Sequence, residues 1–296
     1  MRRWKRICAS LGGGLAGAMG WLWLNATPAQ PQAWMQDLPR PLILAHQGGE
    51  KEWPSNTMYA FERAYKTGCG ALDVDLQMSK DKVLVLIHDT TVDRTTDGQG
   101  KVCELTWAQL EGLDAAYRFS LDDGKTFPLR GQGIRIARLD EVLTTFPDWR
   151  LQIEVKEAPL EIAAELAALL KTHSAQRRVL LSSFRPDLMA ELRRANPEVA
   201  SSATPDEIRV MVLASWLHLE GLVSPDYCAF QVPLEWKGLP IVTRRTVAAA
   251  QARGVTVLPW TIDTREELAV CQQAGADGIN TNLPTMMQSL RPAWSL

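Results

Sequence analysis

The chain has four histidines, and two of them stand where acid–base chemistry could be done. His46 closes the apolar run 39–45, and His88 closes the run 83–87. Two other apolar runs carry charge within them: Asp73-Val74-Asp75 and Glu154-Val155-Lys156. In a strand, residues two apart point to one face, so each pair presents both of its charges on one side. Three carboxylates turned into a protein interior cannot all stay ionised without a cation, because burial of unpaired charge is prohibitive. An all-oxygen set favours a hard divalent ion, Mg2+ or Ca2+. Such a cation, beside two imidazoles and a lysine, suits phosphoryl transfer. The cation and Lys156 would hold the phosphate charge, while His46 and His88 would serve as nucleophile or base, then acid. His173 ends a helical stretch before a loop, and His218 lies in Trp216-Leu217-His218-Leu219. Capping, packing or surface roles suit both.

The elements that must hold these groups are short. Apolar runs at 39–45, 71–77, 83–87, 151–155, 179–182, 199–203, 228–232, 255–260 and 278–281 read as strands. Only Ser79-Lys80-Asp81-Lys82 separates the second run from the third. A parallel crossover needs a dozen or more residues, so that pair is an antiparallel hairpin. The eight remaining strands alternate with helical or long connections, which is the arithmetic of a TIM (β/α)8 barrel with a small insertion after strand two, at about 89–149. A doubly wound sheet would need fewer strands and a glycine-rich first turn, and the spacing after His46-Gln47-Gly48-Gly49 does not supply one. In a TIM barrel the site lies at the C-terminal strand ends. His46, Asp73, Asp75, Glu154, Lys156 and Trp260 all fall there, as does Asn280-Thr281-Asn282.

At 296 residues the chain is one large domain or two small ones, and its 46% apolar and 22% charged residues are those of a globular protein. The formal net charge of -2 argues against nucleic acid as a partner. Arg2, Arg3, Lys5 and Arg6 are the only charges before Asp37, so the body without those four carries -6. They precede an uncharged apolar stretch, 7–24, and then Asn25-Ala26-Thr27-Pro28. That order is the one of a secretory signal or an N-terminal membrane anchor, with the body outside the cytoplasm. Residues 1–36 are assigned to this segment and its linker, and 37–296 to the catalytic domain. The five cysteines show no CxxC spacing, so a zinc site is not expected.

These residues, in this order, resemble the glycerophosphodiester phosphodiesterase family. The resemblance rests on Ala45-His46-Gln47-Gly48-Gly49, Pro54-Ser55-Asn56-Thr57-Met58, Leu72-Asp73-Val74-Asp75, His88-Asp89, Ile153-Glu154-Val155-Lys156, Trp260-Thr261 and Thr281-Asn282-Leu283-Pro284. It implies a TIM barrel with catalytic His46 and His88. It also implies a divalent cation, Ca2+ or Mg2+, held by Asp73, Asp75 and Glu154. Substrate-binding roles follow for Gln47, Asn56, Lys156 and Trp260. The chain departs from the family pattern at several places. Gln47 stands for the usual arginine, Ser55 for a glutamate, Asp73 for a glutamate, and Asn282 for an aspartate. The expected reaction is hydrolysis of glycerophosphodiesters or lysophospholipids to a phosphomonoester and an alcohol. Two alternatives remain at this point: a phospholipase-D-like lyase forming a cyclic phosphate, and a non-catalytic membrane-anchored barrel that binds head groups.

One further stretch, 210–223 with Trp236 after it, is apolar almost all round. It resembles the insertion of membrane-associated family members that act on lysophospholipids. Two readings fit it: an interfacial helix or acyl-chain groove beside the mouth, and an outer barrel helix packed on the sheet.

Overall fold

The computed structural model describes residues 25–294. Twelve strands occur in chain order: β1 (Leu42–His46), β2 (Ala71–Met78), β3 (Leu84–Leu86), β4 (Ala137–Arg138), β5 (Arg150–Val155), β6 (Val179–Ser182), β7 (Ala200–Ser201), β8 (Ala229–Val232), β9 (Glu235–Trp236), β10 (Leu239–Pro240), β11 (Thr256–Pro259) and β12 (Gly278–Thr281). The helices are α1 (Met58–Lys66), α2 (Trp107–Glu111), α3 (Leu139–Thr145), α4 (Ile162–Thr172), α5 (Pro186–Ala195), α6 (Pro205–Trp216), α7 (Arg244–Ala252), α8 (Arg265–Ala274) and α9 (Pro284–Leu290).

A parallel ladder runs β12-β1-β2-β5-β6-β7, and β8 pairs β11 in parallel. Single contacts join the two pieces. Ser202 bridges Ala229, and Cys228 N donates to Ser201 O at 2.9 Å. On the other side Asp277 N donates to Val257 O at 3.0 Å, and the Asp277 carboxylate accepts from Val257 N at 2.9 Å. Eight parallel strands thereby close on themselves with helices outside, which is the TIM barrel expected from the strand count. The β2–β3 pair is antiparallel, as the four-residue connection required.

The strand period of two sorts the side chains. Ile43, Ala45, Leu72, Val74, Leu76 and Ile153 pack outward against the helices. Leu42, Leu44, Ala71, Leu180, Ala229 and Leu258 pack together in the lower interior. The inward positions nearer the strand C-termini are polar: His46, Asp73, Asp75, Gln152, Glu154, Gln231 and Asn280. The barrel therefore has an apolar foot and a polar mouth. Several helices that leave the mouth start on a threonine cap. Thr57, Thr204, Thr243 and Thr264 each accept from a first-turn backbone N–H. Glu207 and Glu267 complete capping boxes on α6 and α8.

The structure moves two boundaries. Trp34 is fully buried in the foot of the barrel, its indole N–H donating to Leu151 O at 3.0 Å. Arg150 Nε donates back to Trp34 O at 2.8 Å. The folded body thus begins before residue 37. The insertion after strand two carries its own small core, with Val85, Ile87, Val102, Leu110 and Ile136. Helix α3, which falls inside the expected 89–149, instead packs Leu139, Val142 and Leu143 into the main core. The hairpin β9–β10 was not anticipated. Lys237 and Gly238 both have positive φ at its turn, 51° and 77°, and the Lys-Gly pair was the available signal.

Of the cysteines, Cys69, Cys228 and Cys271 are buried and form no disulfide, in keeping with a packing role. The basic and apolar segment 1–24 lies outside the described residues. Among the described residues no helix is long and apolar enough to cross a membrane.

Candidate active site

His46 ends β1, and its position follows from what lies on either side of it. On one side β2 pairs with β1 so that His46 sits opposite Asp73. On the other, Asn282 follows β12, and its side-chain oxygen lies 2.6 Å from His46 Nδ1. Asn282 Nδ2 and its backbone N each donate to the Asp263 carboxylate at 2.8 Å, and Lys51 Nζ pairs with the same carboxylate at 2.9 Å. Burial alone would lower the His46 pKa, but the negative charges of Asp73 and Asp75 outweigh it and raise the pKa above the usual value.

The acids of β2 are held differently from one another. Asp73 is fully buried. Asn280 Nδ2 donates to its Oδ2, while Oδ1 has no hydrogen-bond partner. Burial drives its pKa up to about 7, with the His46 charge opposing. Asp75 is clamped by Asn56, whose Nδ2 donates to Oδ2 at 2.8 Å while its Oδ1 accepts from Asp75 N at 3.2 Å. Lys156 Nζ lies 3.0 Å from Asp75 Oδ1 and 2.6 Å from Glu154 Oε1. Burial raises the Glu154 pKa although Lys156 opposes it. Burial also disfavours the Lys156 charge, yet Asp75 and Glu154 together raise its pKa.

His88 sits at the rim. Nδ1 lies 2.8 Å from Asp89 Oδ1, and Arg94 clamps Asp89 through Nε at 2.6 Å and a second nitrogen at 3.1 Å. Burial works against the Asp89 charge, but the bonds from Arg94 and His88 carry its pKa below the usual range. The buried Gln77 amide fixes the turn by donating to the carbonyls of Ile87 at 3.2 Å and His88 at 3.3 Å.

These groups surround one cavity of about 370 Å³, lined by His46, Asp73, His88, Glu154, Lys156 and Trp260 among others. The sequence-derived residues divide here. Asp75, Gln47 and Asn56 do not line the cavity but stand behind it, each with 2% exposure. Gln47, at a positive φ of 54°, places its amide nitrogen 3.5 Å from His46 Nε2. The three acids do not gather into one shell. Among the described residues no group of three His, Cys, Asp or Glu side chains forms a metal-holding cluster. The Lys156 ammonium stands between Asp75 and Glu154 instead. The donor chemistry nonetheless fits a hard cation at Asp73, whose second oxygen is buried and unpaired.

The floor holds residues that sequence reasoning passed over. Gln231 Nε2 donates to Gln152 Oε1 across the barrel, and both line the cavity. Gln152 lies two residues before Glu154 on β5, so the strand period already placed it on the same face. Asp263 was also missed. Its partner Asn282 is 19 positions away, beyond the end of β12, and no local pattern joins them. His173 follows the last residue of α4 as its C-cap, and His218 lies in an exposed turn beyond α6, so neither reaches the cavity.

The cavity opens sideways into an apolar groove of about 510 Å³. Phe184, Pro205, Ile208, Gln231 and Trp260 line both. Beyond them the groove runs past Val212, Leu213 and Trp216 on α6, and Trp236 and Leu239 on the β9–β10 hairpin. Leu213, Trp216 and Trp236 are 54%, 43% and 56% exposed. Trp260 and Phe184 meet edge to face at 6.1 Å where groove joins cavity.

A barrel whose mouth carries two histidines, a lysine and buried acids around one cavity has the groups that acid–base chemistry on a phosphate ester needs. Comparison with known proteins makes the class specific. The glycerophosphoryl diester phosphodiesterase family matches residues 46–286, and the chain belongs to that family. A glycerophosphodiester phosphodiesterase of Caldanaerobacter subterraneus is 31% identical over 85% of this chain and 98% of its own length. A Bacillus altitudinis enzyme of the same description is 27% identical over 84% of this chain and 97% of its own length. An Oleispira antarctica phosphodiesterase, solved with the product sn-glycerol-3-phosphate, superposes with a TM-score of 0.69. It shares 25% identity over 88% of this chain and 98% of that one. The glycerophosphoryl diester phosphodiesterase domain of a Mycobacterium tuberculosis protein shares the fold, with a TM-score of 0.76 over 86% of this chain and 100% of that domain at 21% identity. The chain is thus a phosphoric diester hydrolase of the TIM-barrel type.

Proposed function

We propose that this enzyme hydrolyses glycerophosphodiesters that carry an acyl chain, lysophospholipids among them, to a phosphomonoester and a free alcohol. The observation that supports this reading is the continuity of the polar cavity with the apolar groove. A diester whose glycerol is acylated would place its phosphate among His46, His88 and Lys156. Its chain would pass over Trp260 and Phe184 onto α6 and the hairpin. Small soluble diesters would use the cavity alone.

In hydrolysis, water adds its oxygen to phosphorus, the bond to the alcohol oxygen breaks, and two protons must move. One of His46 and His88 accepts the proton of the attacking water, and the other donates one to the departing alkoxide. Lys156 places its ammonium against the non-bridging oxygens. Asp73, whose second oxygen is unpaired, would hold a divalent cation, Ca2+ or Mg2+, and that cation would supply positive charge toward the phosphate. Asp75 and Glu154 hold the Lys156 ammonium in place. Trp260 gives the glycerol an apolar wall. Gln47 and Asn56 act from behind, one beside His46 and one on Asp75. If the attacking oxygen were the substrate's own hydroxyl, the same pair of histidines would release a cyclic phosphate.

The enzyme is proposed to sit on the outer face of the cytoplasmic membrane through the basic and apolar segment 1–24, or to be exported if that segment is removed. A screen of small diesters and lysophospholipids with product identification tests the reading. Linear phosphomonoester from lysophospholipid supports it. Turnover of small diesters alone returns the groove to ordinary packing. A cyclic product replaces hydrolysis with transfer to the internal hydroxyl.

A further inference from the structure

The orientation of the Asn282 amide is settled by its neighbour. Its nitrogen donates to Asp263 Oδ2 at 2.8 Å, and an ionised carboxylate only accepts. The amide oxygen must therefore face His46 Nδ1, 2.6 Å away. An amide oxygen also only accepts, so Nδ1 carries a proton whether the ring is neutral or charged. Asp263 is itself fixed. Besides the two Asn282 bonds, it accepts from Thr281 Oγ1 at 3.2 Å and pairs with Lys51 at 2.9 Å. On the other side of the ring, the Gln47 amide nitrogen lies 3.5 Å from Nε2.

We propose that Asn282, oriented by Asp263, is a positioning residue that fixes His46 as its Nδ1–H tautomer and leaves Nε2 as the one nitrogen able to exchange a proton with substrate. In the opposite tautomer the Nδ1 lone pair would face the amide oxygen at 2.6 Å, and the nitrogen facing the cavity would hold its proton. The inference rests on the two-histidine reading above, but the tautomer is observable without turnover.

The test uses the full chain with 15N-labelled histidine, His46 being assigned by the signal lost in His46→Ala. The expected neutral-ring spectrum shows Nδ1 protonated and Nε2 bare. A protonated Nε2 in the neutral ring overturns the proposal. Asn282→Leu is expected to lower kcat about 10²-fold with KM little changed, the size of one acid–base contribution. Asn282→Asp sets two carboxylates side by side and is expected to lose activity similarly. Adding Asp263→Asn to it restores an amide–carboxylate pair of reversed polarity, with position 282 still accepting from Nδ1. That double variant should recover to within about tenfold of the parent, short of the full acid–base loss. Wild-type kcat in Asn282→Leu, or no recovery in a folded double variant, overturns the proposal. A His46→Ala enzyme that remains fully active would instead overturn the two-histidine reading, with the tautomer as measured.

Discussion

The two walls of the catalytic cavity are built from opposite materials. The wall formed by β1, β2, β5 and β12 is charged and hydrogen-bonded, with each acid or histidine gripped by a second residue: His46 by Asn282, Asp73 by Asn280, Asp75 by Asn56 and Glu154 by Lys156. The wall formed after β6, β7 and β8 is apolar and open, with Phe184, Leu213, Trp216 and Trp236 exposed. Fixed polar groups serve a transition state, since they are already oriented when charge develops. An open apolar surface can recognise a chain but cannot do chemistry. The two walls should therefore be separable by experiment, one setting the rate for every substrate and the other choosing among substrates.

The largest effects belong to the polar wall. Exhaustive chelation is expected to abolish turnover of both substrate classes, with Ca2+ or Mg2+ restoring it and Zn2+ not, because the acids offer oxygen alone. Undiminished turnover in chelator would remove Asp73 from the role of cation ligand. His46→Ala and His88→Ala should each lose on the order of 10²–10⁴ in kcat on both classes. An effect confined to lysophospholipid would break the comparison, since the polar wall would then be choosing substrates.

The apolar wall should give a smaller and selective effect. Leu213→Asp or Trp236→Asp is expected to reduce kcat/KM for a lysophospholipid about tenfold, equivalent to about 1.4 kcal/mol of lost contact. Turnover of glycerophosphocholine should stay unchanged in the same variants. Equal losses on both substrates would mean that the groove supports the fold and does not hold a chain.

The polar wall was far more legible in the sequence than its supports. His46, Asp73, Asp75, Glu154 and Lys156 could be placed because a strand shows its inward residues at every second position, and charge inside an apolar run stands out. The β2–β3 hairpin was legible because its connection is too short for any other pairing. The grip on each group was not legible. Asn280 and Asp73 are 207 positions apart, and Asn282 and His46 are 236 apart, so only barrel closure brings them together. The place of Lys156 between two acids was hidden for a related reason. The strand period gives a side chain its face and not its reach. Segment 210–223 could not be resolved because an apolar helix reads alike whether it covers a sheet or lines a groove. The structure makes α6 do both, burying Met211 and Val212 and exposing Val210 and Leu213.

The smallest effect is expected where the segment 1–24 is removed. A chain that starts at Asn25 keeps Trp34 in the foot of the barrel and keeps the bond from Ala29 N to Arg253 O at 2.8 Å. One that starts at residue 36 loses both, and removing a buried tryptophan side chain costs about 3–5 kcal/mol. Glycerophosphocholine turnover by the first truncation should match that of the full chain, because the foot lies at the opposite end from His46. Its membrane behaviour is the sharper readout. The charged residues that remain sum to -6, so anionic lipid repels this body and any attachment must be hydrophobic. If the exposed Leu213, Trp216 and Trp236 surface meets lipid, the truncated enzyme should still bind vesicles weakly. High salt should not release it, and Trp236→Asp should. No binding at all would leave attachment to segment 1–24 alone, and the apolar wall would then select its substrate one molecule at a time from solution.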